Sequence, residues 1–265
     1  MRLPSCRDCI GLGIIGLSLI FISPKSLSQS QETKGSAHFS VIPVQIFING
    51  AAPSPNTFLK INNTSDVTKR FQAQVFSWTQ TDKEPIQLTP SQEIVLFPLL
   101  LTIEAGKSRD LRVGIVAPPK PVEKTYRILI QELPDAQTQE KPKGTGISFL
   151  IKMSVPVFVT PEQPQSQPGI TNLANNKGKF SFQLSNTGNA HYMAKDMQVT
   201  GTDASGKTLF QKSRTGWYVL AGSTPLYDLE LPKTDCQKVT NLTVNLKTDT
   251  TNVSQSLPTP KGICP

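Results

Sequence analysis

The chain has 265 residues, of which 37% are hydrophobic and 17% charged. That balance excludes a disordered chain and gives room for two ordinary domains. The formal net charge is +8, but Lys and Arg are scattered and form no stripe interleaved with aromatics, which argues against a nucleic-acid partner.

Residues 1–28 read as a secretory signal peptide. Arg2 and Arg7 precede an apolar run over 10–22, Pro24 breaks it, and Ser26-Leu27-Ser28 supplies the small-x-small pattern of a cleavage site. The run falls short of the roughly 20 apolar residues of a bilayer span. The sequence therefore predicts an exported protein, with no membrane insertion once the signal is removed. Cleavage takes away Arg2, Arg7 and Lys25 against Asp8, three cations and one anion, and leaves +6. Cys6 and Cys9 lie before the apolar run, where a lipidated cysteine does not occur. Cys236 and Cys264 remain in the exported chain. In an oxidising compartment the two are expected to form a disulfide pinning the C-terminal tail, with a free pair as the alternative.

From residue 38 to 161 short alternating runs are separated by turn signals. They fall at 39–41, 44–48, 57–61, 71–78, 94–97, 99–103, 111–116, 126–133 and 147–159. Asn49-Gly50, Asn62-Asn63, Pro98 and Ala105-Gly106 punctuate them. No helical period intervenes, so a first β-sandwich domain is predicted over 36–161. In the 71–78 run the inward face is Phe71, Ala73 and Val75, or a frame with Phe76 and Trp78 after a bulge. Residues 162–169, E-Q-P-Q-S-Q-P-G, read as a linker. A second, shorter β domain is predicted over 170–265, with strands at 179–184, 197–200, 208–212, 217–220, 226–231 and 239–246.

Catalytic chemistry has no foothold. The two histidines, His38 and His191, fall in different domains, no Cys/His cluster has metal-ligand spacing, and no nucleophile elbow or phosphate loop is present. Glu93, Glu104, Glu123 and Glu132 each sit beside a turn or strand end, where a solvated acid is ordinary. The sequence predicts a binding protein with no enzyme activity, no cofactor and no metal. His191 reads as a turn or interface residue.

The most informative segment is 147–159, I-S-F-L-I-K-M-S-V-P-V-F-V. One face carries Ile147, Phe149, Ile151, Met153, Val155, Val157 and Val159. It is long for a strand and apolar almost to its start. Either it is a central strand buried on both sides, or it is an edge strand kept apolar for pairing with a foreign chain. Pro156 favours the edge, because proline is poorly tolerated inside a sheet. Strand addition draws affinity from backbone hydrogen bonds and specificity from alternate side chains.

Several stretches, in order and spacing, resemble the PapD-like periplasmic chaperones of the chaperone–usher pathway, in particular the branch serving archaic, spore-coat-U-like pilins. They are Phe76-Ser77-Trp78-Thr79-Gln80, Ile103-Glu104-Ala105-Gly106 with Leu111-Arg112-Val113, and Glu123-Lys124-Thr125-Tyr126-Arg127 leading to Gln131-Glu132-Leu133-Pro134. They continue with Val155-Pro156-Val157-Phe158-Val159-Thr160-Pro161, the run from Leu184 through Ser185-Asn186-Thr187-Gly188-Asn189-Ala190 to His191, and Gly216-Trp217-Tyr218-Val219-Leu220-Ala221-Gly222. The resemblance implies an all-β fold of two immunoglobulin-like β-sandwich domains in a boomerang arrangement. It implies a periplasmic protein whose partners are pilin or fimbrial subunits and an outer-membrane usher. The last strand of the first domain is then a donor strand, with Ile147, Phe149, Ile151 and Met153 as the residues lent to a subunit.

The chain departs from that pattern at the cleft. Of the two basic residues that hold a subunit's C-terminal carboxylate in the family, the first aligns with Gln45 and the second near Pro156. The remaining anchor candidates are Lys152, Arg112 and Arg127, the arginines having structural pairing as their other reading. Glu123 matches the acid of the family's interdomain charge network, but its arginine partner aligns with Thr160. A secreted two-domain structural or adhesion protein is the alternative function. It predicts a first domain with no strand available for donation.

Overall fold

A computed structural model describes residues 38–52, 56–116, 120–134, 149–234 and 237–259. The signal segment, residues 135–148 with Ile147 among them, Cys236 and Cys264 lie outside them. The described residues belong to one compact unit and contain strands but no α-helix.

Ten strands build the first sandwich: β1 (Phe39–Ile42), β2 (Ile46–Asn49), β3 (Asn56–Asn63), β4 (Lys69–Thr79), β5 (Gln87–Pro90), β6 (Ile94–Phe97), β7 (Leu100–Ile103), β8 (Ser108–Ile115), β9 (Lys124–Leu133) and β10 (Lys152–Thr160). One sheet has the order β1-β3-β8-β6. The other has the order β2-β10-β9-β4-β5, with β7 also paired to β4. The chain thus changes sheets between β1 and β2, at Pro43. Alternation places Leu59 and Ile61, Leu111 and Val113, Phe71 and Ala73, and Ile128 and Ile130 between the sheets, where they share one core with Val155, Val157 and Val159.

Where the sandwich ends, Glu93 ties its two sheets. Standing just before β6, it accepts from Lys124 Nζ at 2.5 Å and from Tyr126 Oη at 2.5 Å, both on β9. These bonds, first from Lys124 and then from Tyr126, hold its carboxyl below the ordinary value of 4.5. A carboxylate whose pKa is lowered by folding stabilises the fold above that value and loses the contribution as pH falls through the folded pKa. The Glu93 side chain is 45% exposed, so the contribution is only about 0.2–1 kcal/mol. Glu93→Gln is expected to melt slightly below the wild type at neutral pH. The gap, followed by thermal unfolding, should close as pH drops below 4.5.

Eight strands build the second sandwich: β11 (Pro168–Asn176), β12 (Lys179–Asn186), β13 (Tyr192–Thr202), β14 (Thr208–Arg214), β15 (Tyr218–Val219), β16 (Leu226–Glu230), β17 (Asn241–Thr248) and β18 (Asn252–Pro258). The order β11-β12-β16 faces β14-β13-β17-β18, with β15 on β13. Phe180, Phe182 and Leu184 of β12 meet Met197 and Val199 of β13 and Leu242, Val244 and Leu246 of β17.

Two sequence expectations need correction. The predicted linker runs to 169, but Pro168 and Gly169 already pair with Asn186 and Ser185 in β11. The predicted strand 147–159 begins, as a strand, only at Lys152; Phe149, Leu150 and Ile151 precede it without strand geometry. The 71–78 run takes the first of its two expected frames, with Phe71, Ala73 and Val75 inward and no bulge. Phe71 and Ala73 face the sandwich core, while Trp78 faces outward and is buried in the small cluster it shares with Tyr218 and Leu220 of the second sandwich. Strands β5, β11 and β18 gave no apolar alternation in the sequence.

Candidate functional site

The outer face of the β2-β10-β9-β4-β5 sheet is where the two sandwiches meet. Trp78, Phe158, Tyr218 and Leu220 form a small core of their own there. Phe158 comes from β10 in the first sandwich, and its ring stacks on His191 at 3.7 Å between centroids. Trp78 meets the edge of Tyr218 at 5.7 Å and donates its indole N–H to Pro85 O at 3.2 Å. The amide of Gln80 donates to Tyr218 O at 2.8 Å and accepts from Leu220 N at 2.9 Å, closing a bridge between the sandwiches.

The turn ahead of β13 supplies the second tether. Asn189 Nδ2 donates to Pro121 O and Gln163 O, each at 3.1 Å, and its Oδ1 accepts from Gln165 N at 2.7 Å. Glu123 Oε2 accepts from His191 N at 2.9 Å and lies 2.7 Å from His191 Nδ1. His191 therefore stands where the family pattern led one to look for an arginine at Thr160. Thr160 Oγ1 donates instead to Ile48 O, 3.4 Å away.

The edge of the sheet is the second part of the site. β10 pairs antiparallel with β9 from Lys152 to Val159. On its other flank it pairs parallel with β2, and only from Val157 to Thr160. Among the described residues, nothing pairs with that flank over 152–156, nor with Phe149 and Leu150 beyond it. The long segment is thus both things that the sequence allowed. Its end is a central strand, buried on both faces, and its beginning is an edge. Pro156 stands at the last position before β2 closes the flank, where a missing N–H is tolerated. Phe149 is 75% exposed, while Ile151 and Met153 pack against the rim of the first core.

The anchor candidates do not converge. Gln45 accepts from Tyr218 Oη at 2.8 Å and belongs to the junction. Arg112 lies in the other sheet, exposed, with its guanidinium 5.6 Å from the Phe58 ring centroid. Lys152 pairs with Gln131, and Arg127 pairs with Pro156, so four residues of strand, about 13 Å, separate the two cations. Only Arg127 is both at the junction and unsatisfied. It is 3% exposed, its guanidinium rests 3.9 Å from the Trp78 ring centroid and 5.8 Å from that of Trp217, and its Nε and Nη2 have no hydrogen-bond partner. Burial pushes the guanidinium below its ordinary pKa. Sequence reasoning missed the roles of Gln80 and Trp217; each sits in a quoted family stretch but carries no local signal of what it touches.

No group of three or more metal-ligating side chains is found among the described residues, and none of their helices is long and apolar enough to cross a membrane.

Residues 39–165 match the family described as pili and flagellar-assembly chaperone, PapD N-terminal domain. No curated protein matches the chain by sequence. Among solved structures, the CsuC–CsuE chaperone–tip adhesion subunit pre-assembly complex of archaic chaperone–usher Csu pili from Acinetobacter baumannii contains a similar chain. That chain is 19% identical, with a TM-score of 0.56, and the match covers 83% of this chain and 98% of that one. The YadV chaperone is similar at 12% identity and TM-score 0.56, over 84% of this chain and 100% of that one. The Salmonella enterica SafA pilin–SafB chaperone complex gives 13% identity and TM-score 0.52, over 83% and 96%. These likenesses extend over both sandwiches.

Proposed function

We propose, on the premise that this chain is a PapD-like pilus chaperone whose residues 39–165 belong to the family of pili and flagellar-assembly chaperones, that it caps pilus subunits by strand addition and hands them to an outer-membrane usher. It acts in the periplasm, after removal of residues 1–28. The client is an incomplete subunit of spore-coat-U-like type. The observation that carries the reading is the one-sided pairing of β10. Among the described residues, nothing pairs with the backbone groups over 152–156 on one flank, and the apolar residues Phe149, Ile151 and Met153 lie along the same segment. A subunit chain laid there gains ladder hydrogen bonds and receives Ile147, Phe149, Ile151 and Met153 into its own open core. No nucleotide or metal is needed for such an exchange.

Arg127 anchors the subunit's terminal carboxylate. Among the described residues it is the buried cation at the junction whose Nε and Nη2 lack acceptors, and it pairs with Pro156, next to where the open flank ends. Gln45 and Lys152 contribute at most a neutral bond and a distant charge. The experiment is co-expression with a candidate subunit followed by pull-down of the complex. The wild type should recover the subunit in a one-to-one complex. Arg127→Gln should reduce recovery at least about tenfold, since truncating one partner of a buried charge pair costs about 2–5 kcal/mol. A subunit extended by two glycines should lose as much. Recovery untouched by both changes removes Arg127 from the role, and failure of the wild type to bind any such subunit removes the chaperone reading.

A further inference from the structure

We infer that Trp217 is a swinging cover over Arg127, closing the carboxylate site in the unloaded protein and turning aside when a chain terminus enters. This rests on the reading of Arg127 as the anchor and adds how access to it is controlled.

Four observations lead here. First, Arg127 is too well covered to bind anything as it stands. It is 3% exposed, with the Trp78 ring on one side and the Trp217 ring 5.8 Å away. Second, the covered state leaves Nε and Nη2 without acceptors, which is costly for a buried cation. The two indoles offset part of that cost as cation–π partners. A carboxylate, accepting from both nitrogens, would offset more. Third, the two rings differ in freedom. Trp78 is 1% exposed and donates its N–H to Pro85 O, whereas Trp217 is 44% exposed. Fourth, Trp217 has somewhere to go. Its ring already lines a groove of about 390 Å³ between the sandwiches, which Arg127 does not line and whose walls include Asp82 and Lys83 as well as the apolar Pro85, Ile86, Pro225 and Leu226.

The movement is a change of side-chain rotamer rather than of the loop. Trp217 O accepts from Ala194 N at 3.0 Å, and Tyr218 pairs with Met193. Gly216 lies so close to β13 that an added Cβ would stand 2.5 Å from Ala194 O. The backbone is pinned on both sides of Trp217, so only staggered wells of its side chain remain to separate closed from open. Closing protects a desolvated cation. Opening places the indole in the groove, against Ile86 and Leu226, and frees the guanidinium for a terminus arriving along β10.

The chain has only two tryptophans, so Trp78→Phe leaves Trp217 as the sole indole reporter. The probe is a synthetic ten-residue peptide of alternating apolar and polar residues, with a dye at its N-terminus and either a free C-terminal carboxylate or an amide. Binding is read by dye anisotropy, and the position of Trp217 by its emission and acrylamide quenching. The expected result is tighter binding of the acid than of the amide, with a change in Trp217 emission and quenching on binding of the acid alone. In the otherwise wild-type chain, Trp217→Ala should tighten acid binding several-fold, because the closed population no longer competes; this arm stands if Trp78→Phe does not fold. A preference for the acid that Arg127→Gln abolishes, with Trp217 emission unmoved, keeps the anchor and overturns the cover. Weaker acid binding by Trp217→Ala also overturns the cover and makes the ring a platform. Equal binding of acid and amide overturns the anchor and the cover with it.

Discussion

Phe149→Asp is expected to abolish recovery of a co-expressed pilus subunit while leaving the protein's own melting temperature unchanged. Phe149 is 75% exposed and lies outside any strand, so its replacement should alter stability by no more than about 0.5 kcal/mol. In the complex proposed above its ring would be buried in the subunit. Losing that burial costs about 1.5–3 kcal/mol, and an uncompensated carboxylate in an apolar pocket costs several more. Ile151→Asp is the companion. Ile151 packs against the first core, so this variant should lose the subunit and also melt earlier. The pair separates binding from folding, because only one of them touches the protein's own core. Unchanged subunit recovery with both would refute the donor-strand assignment, however well the fold matches.

Trp78→Ala should be the most damaging single change at the junction. The ring is 1% exposed and packs on Phe158, Tyr218 and the Arg127 guanidinium. Truncating a buried tryptophan costs about 3–5 kcal/mol, which for a chain of this size lowers the melting temperature by about 6–20 °C. The loss falls on residues of both sandwiches. Scanning calorimetry should therefore show the second sandwich unfolding apart from the first. Trp78→Phe keeps a ring against Phe158 and should fall in between. A shift under about 2 °C for the alanine variant would mean that Gln80, Asn189 and Glu123 hold the junction without it.

The sequence carried the strands whose two faces meet different media. β4, β9 and β12 alternate visibly because one side of each is core. It did not carry β5, Q-L-T-P, or β18, N-V-S-Q-S-L-P, because both are exposed edge strands with little to bury. β11 was masked in another way: it opens with Pro-Gly and is broken by a register shift between Thr171 and Ala174, so it reads as linker. Trp78 and Phe158 were legible as apolar but not as junction residues, since an outward face covered by a second domain looks like a strand buried on both sides. The same ambiguity hid the division of the 147–159 segment, because nothing local marks where β2 joins β10. The anchor is the least legible part. Alignment with a family placed Gln45 and Pro156 at positions where cations were sought, and only the cross-strand register shows that Arg127 adjoins Pro156 whereas Arg112 faces away in another sheet.

The parallel seat of β2 beside Val157–Thr160 also works as a doorstop. On the strand-addition reading proposed above, a guest strand sliding along the open flank would run end-on into residues 43–45 and go no farther. The berth extends back from there over about eight residues, or about 26 Å. Because side chains alternate with a period of two, a guest seated one residue short would turn its whole apolar row the wrong way. Measuring from a fixed end rather than from the middle would give every guest the same phase, whatever its sequence farther upstream.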